Sequence, residues 1–136
     1  MLIKFQNPLA LAARVLLALL FLPEGIHKMG GFSGTAMYIG ANGLPFPEFG
    51  AAIAIVVEVV GSLALLVGYR ARWAALALAI FTLAAGALFH KFWAVPADQA
   101  MLEHIMFFKN MAIAGGLLMI VAFGPGSWSV DAKRGA

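Results

Sequence analysis

Eight side chains have the types and the placement to do chemistry: Glu24, His27, Lys28, Glu58, His90, His104, Lys109 and Asn110. All lie inside or at the ends of long apolar runs, where an ionisable group is expensive unless it meets a partner or water. Carboxylates and imidazoles so placed can take up and release protons. Lys109 and Asn110, adjacent in the chain, offer hydrogen-bond donors. Together such groups could hold the head of a quinone and handle the protons that accompany its reduction. They could equally polarise a pocket for a lipid, a small molecule or a client helix without turning anything over. No catalytic role attaches to any one of them from residue type alone.

Each group also has a plainer reading. Glu24 and Lys28 stand four apart with the acid first, the favoured helical ion pair. Glu58 and Lys109 fall at similar depths on different helices, so the spacing predicts that they pair and fix the register of a bundle. The three histidines come from three different helices at one level, which would suit zinc, or haem through two of them. Yet no HExxH spacing occurs and no histidine pair sits mid-membrane, so the reading assigns no metal and disfavours haem and zinc. Arg14 lies near the start of its run and is expected to snorkel to the interface.

The elements that must carry these groups follow from hydropathy. A helix needs about 20 mostly apolar residues to cross ~30 Å of hydrocarbon, and four stretches qualify, at about 8–29, 48–69, 72–93 and 103–123. Lys4 before an apolar run resembles a signal peptide, but Pro23, Glu24 and His27 stand where a small-residue cleavage site would be, so the first stretch is read as a retained helix. Ser33 is expected to cap a short helix through Ala41, lying at the interface. Tyr69–Arg72 leaves room only for a tight helical hairpin, and Gly124–Pro125–Gly126 breaks the last helix. The expected fold is all-α: an integral membrane four-helix bundle, one domain over residues 1–136. Gly61, Gly68, Gly86 and Gly115–Gly116 permit close helix approach. Aromatic residues near the helix ends, from Trp73 and Phe89 to Trp128, read as an interfacial belt before a quinone-flanking set.

Composition sets the outer limits. Hydrophobic residues make up 63% of the chain and charged residues 11%, against about a quarter charged in soluble domains, which excludes an ordinary soluble globule and a disordered chain. There is no Cys, which excludes disulfides, iron–sulfur ligation and thiol-relay redox chemistry. The net charge of +3 is lopsided. Lys4, Arg14, Arg70, Arg72, Lys133 and Arg134 gather at one end of the expected bundle, so it reads as a topology signal rather than a nucleic-acid patch. The positive-inside rule then places both termini in the cytoplasm.

Arg14, Phe21, Gly25 and Lys28, then Gly43–Leu44–Pro45 ahead of a helix with Glu58, Gly61, Leu65 and Gly68, resemble the DoxX family. So do Phe108–Lys109–Asn110, Gly115–Gly116, Gly124–Pro125–Gly126 and Asp131, and the resemblance runs from about Pro8 to Asp131. It implies a multi-pass protein of the bacterial cytoplasmic membrane, accessory to a membrane oxidoreductase system or interacting with quinone, with Arg14, Lys28, Glu58, Lys109 and Asn110 as the positions that match. The alternative is a non-enzymatic binding or assembly protein. Expected partners are the lipid bilayer, a redox subunit and a second copy of the chain, with no nucleic acid.

Overall fold

The computed structural model describes residues 2–135. After a 3-10 turn at Leu2–Phe5, the helices are α1 (Gln6–Gly30), α2 (Phe32–Ala41), α3 (Pro47–Val67), α4 (Ala71–Phe89), α5 (Ala97–Phe123) and the short α6 (Val130–Arg134). Four of them, α1, α3, α4 and α5, are long and apolar enough to cross a membrane. Their outward faces carry bare Leu16, Leu19, Val60, Ile80 and Met119. So much unpaired apolar surface is stable against lipid and not against water.

Each long helix turns one stripe inward. On α1 this is Arg14, Ala18, Phe21 and Gly25; on α3 it is Ala51, Ala54, Glu58, Ser62 and Leu65. The three-and-four spacing is that of a single helix face. Neighbours in space are α1 with α3, α3 with α4, and α4 with α5, whereas α1 and α5 meet only sparsely. Phe21, Leu65, Leu78, Leu117 and Ile120 form the main core toward the end that carries both termini, and Ala36, Ile39 and Ala51 form a smaller one under α2 at the opposite end. On α5 the buried residues are Ala114, Leu117 and Ile120, so its first half borders open space instead of core.

The expected limits of α1 and α3 hold to within two residues, and α2 runs to Ala41 as expected, but Gly31 and not Ser33 stands at its N-cap and no side chain caps it. Helix α5 starts at Ala97, six residues before the predicted 103. Pro96 ends the preceding turn, and Asp98 sits in the first helical turn, where the macrodipole favours an acid. Polar Asp98 and Gln99 look like loop on a hydropathy scale although they are good first-turn residues. Helix α4 stops at Phe89 rather than 93, because His90 leaves helical dihedrals and Phe92 and Trp93 fall in the following turn.

Arg14 does not snorkel. It is 1% exposed and donates to the carbonyls of Leu65 (3.4 Å), Leu66 (2.9 Å) and Trp128. The carbonyls of the last turn of α3 have no intrahelical partner, and a cation there also meets the negative end of the helix dipole. Gly68 makes this approach possible: its φ is +73° and a Cβ would stand 2.6 Å from Arg14 Nη1. Asp131 performs the complementary task, accepting from the backbone N–H of Arg70 (2.7 Å) and Ala71 (2.8 Å) at the start of α4. Arg72 donates to the Val121 and Ala122 carbonyls at the end of α5. Charged side chains thus cap three helix ends on the side where the termini lie.

Candidate functional site

A cavity of about 490 Å³ lies between the two core clusters, bounded by α1, α3, α4 and α5 and roofed by α2. That volume falls within the usual range for small-molecule sites, ~300–1,000 Å³. Leu20, Phe21, Ala54, Phe81, Ala85, Leu88 and Ile113 make its wall mostly apolar, while Glu24, Lys28, Glu58, Thr82, His90, Lys109 and Asn110 supply the polar groups. Since α1 and α5 barely touch, this is the side on which the wall is thinnest toward the bilayer. Tyr38 of α2 stacks on Phe89 of α4, with ring centroids 5.4 Å apart and 26° between planes, which fastens the roof to the bundle.

The electrostatic centre is Glu58. It lies eleven residues past Pro47, about 16 Å along α3, and its side chain is 7% exposed. Its partner is Lys28, whose Nζ is 3.1 Å from Oε1 and 2.9 Å from Oε2. Lys28 also reaches Glu24 Oε2 at 3.6 Å, so the predicted pair within α1 is present and extends into a triad. The predicted partner of Glu58, Lys109, is not engaged with it; Lys109 is exposed and its Nζ lies against Met106 Sδ at 3.1 Å. The direction of the helices explains the exchange. Helical side chains lean toward their own N-terminus, so Lys28, near the C-terminal end of α1, leans down into the bundle toward Glu58. Lys109 belongs to a helix running the other way and leans up, away from that level. Gly25 removes the last obstacle, since a Cβ there would stand 2.7 Å from Val59 Cγ2 and 3.0 Å from Glu58 Cβ.

This centre keeps acceptor capacity to spare. The Lys28 ammonium stands within 3.1 Å of both Glu58 oxygens, and one ammonium does not fill the roughly four acceptor positions of a carboxylate. Acceptor positions left empty on a buried carboxylate cost free energy, and this carboxylate lies in the cavity wall.

Of the eight residues read from the sequence, six line this cavity: Glu24, Lys28, Glu58, His90, Lys109 and Asn110. His27 is exposed on α1. His104 packs into an aromatic group with Phe92 and Phe108, at centroid distances of 4.9 and 4.7 Å. His90 Nδ1 lies 2.8 Å from Glu103 Oε2, tying the end of α4 to α5. The three histidines therefore do not converge, and no cluster of three metal-ligating side chains gathers among the described residues. Of the aromatic residues weighed as ring-flanking, Phe89 reaches the cavity, and Phe92, Trp93, Phe107 and Phe108 pack on one another beyond it. Sequence reading missed Tyr38, Phe81 and Thr82. The signal for Tyr38 was its place three from Thr35, which puts both on one face of α2 bordering the cavity.

Fold and cavity together define an integral membrane four-helix bundle with a polar-centred interior site. Residues 9–91 match the DoxX family, and the chain belongs to it. It is 35% identical to the inner membrane protein YphA of Escherichia coli over 92% of its own length and 89% of that protein. It is 38% identical to the inner membrane protein YqjF of the same organism, over 94% and 93%. The Surfeit locus protein 4 homolog of Schizosaccharomyces pombe is 29% identical over 91% of this chain but 37% of its own length. No solved structure matches. The protein is a multi-pass protein of the inner membrane.

Proposed function

We propose that this protein binds the head of a quinol or quinone drawn laterally from the bilayer, as an accessory subunit of a membrane oxidoreductase system. The supporting observation is the Glu58 carboxylate, 7% exposed and paired to one ammonium, in the wall of a mostly apolar cavity. A quinol hydroxyl fills a further acceptor position of that carboxylate, and Lys109 and Asn110 across the cavity supply donors for a carbonyl oxygen. The Lys28–Glu58 pair keeps a charge at that depth and offers a carboxylate to exchange protons with the ligand. The chain has no strand–GxGxxG–helix unit for a nicotinamide or flavin dinucleotide, so electrons come from a partner subunit. In this reading the end with Arg70, Arg72, Lys133 and Arg134 faces the cytoplasm. The absence of cysteine lets single cysteines at Ser127 and Gly34 report that by labelling from each side.

The test is equilibrium binding of a short-chain ubiquinol and of its quinone to the detergent-solubilised protein, with mass spectrometry of extracted small molecules. Saturable binding to the native chain, weakened at least tenfold by Glu58→Gln, is expected. Absence of saturable binding of either form refutes the reading.

A second reading, a non-enzymatic binding or assembly protein, is favoured by the reach of the likeness. The ER-derived vesicles protein ERV29 of Saccharomyces cerevisiae is 25% identical over 59% of this chain and 26% of its own length. A copurifying lipid or client with no quinone would select it.

A further inference from the structure

A second and larger hollow, of about 670 Å³, opens at the end of the bundle that carries the termini, between the α3–α4 hairpin, the end of α5 and α6. Its charge is unbalanced. Arg70, Arg72, Arg134 and Asp131 all line it, but Asp131 has both oxygens on the backbone N–H groups of Arg70 and Ala71. Arg72 is committed to the carbonyls at the end of α5. Arg70 and Arg134 remain, both exposed and in no ion pair among the described residues. They are gathered around a single side chain, for the Arg134 guanidinium lies 5.3 Å from the centroid of the Tyr69 ring and Arg70 follows Tyr69 in the chain at the lip of the same hollow. Arg70 is fixed further by its left-handed backbone, φ +43°, at the tip of the hairpin. Two guanidinium groups set side by side repel, and an anion between them relieves that repulsion.

The rim of this hollow is apolar. Trp73 at the start of α4 and Phe123 at the end of α5 are 69% and 74% exposed, on two helices that pack together, at the level where a membrane passes from hydrocarbon to head groups. We propose that the hollow seats the phosphate of an anionic phospholipid, with Arg70 and Arg134 on the phosphate and Trp73 and Phe123 beside its glycerol and upper chains. Basic hollows between spanning helices are suited to such head groups, and each cation near the surface is worth about 1 kcal/mol, or about fivefold in affinity.

Native mass spectrometry of the full chain in neutral detergent, titrated with phosphatidylglycerol or phosphatidylcholine, tests this. One phosphatidylglycerol per chain should survive on the native protein and phosphatidylcholine should not. Arg70→Gln/Arg134→Gln should weaken retention about 30-fold, Arg134→Gln alone about fivefold, and Lys133→Gln, a charge at the same end outside the hollow, should leave it unchanged. The single variant keeps the test open if the double variant fails to fold. Equal retention of the two lipids, an equal loss in Lys133→Gln, or unchanged retention in Arg134→Gln overturns the proposal. Displacement of the lipid by excess inorganic phosphate also overturns it, in favour of a site for free phosphate.

Discussion

Removing Lys28 should destabilise the bundle far more than removing Lys109, although the two lysines look equivalent in the sequence. Lys28→Met takes away the cation 2.9–3.1 Å from a carboxylate that is 7% exposed. Breaking a buried pair by deleting one partner costs about 3–5 kcal/mol. Lys28 itself is 24% exposed and the cavity admits water, so the structure places the cost nearer about 2–3 kcal/mol. Glu58→Gln leaves Lys28 with the exposed Glu24 at 3.6 Å and should cost about 1–2 kcal/mol. The double variant replaces the pair by neutral groups and should fall short of the sum by about 1–2 kcal/mol. Lys109→Met should stay within about 0.5 kcal/mol of the native chain. Reversible unfolding in mixed micelles of mild and denaturing detergent measures all four. Additive single and double effects, or a loss in Lys109→Met equal to that in Lys28→Met, would refute the pairing.

The helix-end caps make sharper demands on residue type. Arg14→Lys should cost about 2 kcal/mol or more, because one ammonium cannot span the Leu66 carbonyl and the Trp128 carbonyl as the guanidinium fork does; a midpoint equal to the native one would rule this out. Asp131→Asn keeps the shape but loses one charged acceptor at the α4 start, and should lower stability by about 1–2 kcal/mol in the same unfolding assay. Tyr69 is held below the ordinary phenol range by the hydrogen bond and charge of Arg70 and then by those of Arg134. The folded chain therefore favours the phenolate, so this contact adds stability only in alkali, above the unfolded phenol pKa, and loses it as pH falls through the folded value. Tyrosinate absorbance of one of the two tyrosines should appear at lower pH in the folded protein than in the unfolded one, and Arg70→Gln should move it back.

The four spans were legible because apolar length answers directly to membrane thickness, and so was the gathering of polar residues in one half of the bundle. Their pairing was not. Depth along a helix puts Glu58 and Lys109 at neighbouring levels, but depth does not say which helices touch, nor that antiparallel helices lean their side chains in opposite directions. The order α1, α3, α4, α5 in space and the missing Cβ at Gly25 decide for Lys28. Arg14 misled for a related reason. Its distance from the boundary suggested escape to water, while its partners lie 51 to 114 residues away in the chain. Asp131 sits in a short polar tail whose composition resembles any solvated terminus, and only the fold returns it to the start of α4.

The position of the cavity follows from the same asymmetry. Toward the end with the termini, three charged caps tie the helix ends together and the residues around Leu65, Leu78 and Leu117 fill the space between the helices. Toward the other end α5 buries nothing before Ala114, and α1 approaches α3 so closely at Gly25 that it is drawn from α5. Four helices cannot fill that half, and α2 covers the gap from above without sealing it from the side. Pairing Glu58 with Lys28 on the α1 side, and not with Lys109, leaves the donors of α5 free to face what enters. Close packing of one helix pair thus creates both the opening and the polar groups that face it, and a ligand with an apolar body and a hydrogen-bonding head meets both conditions at once.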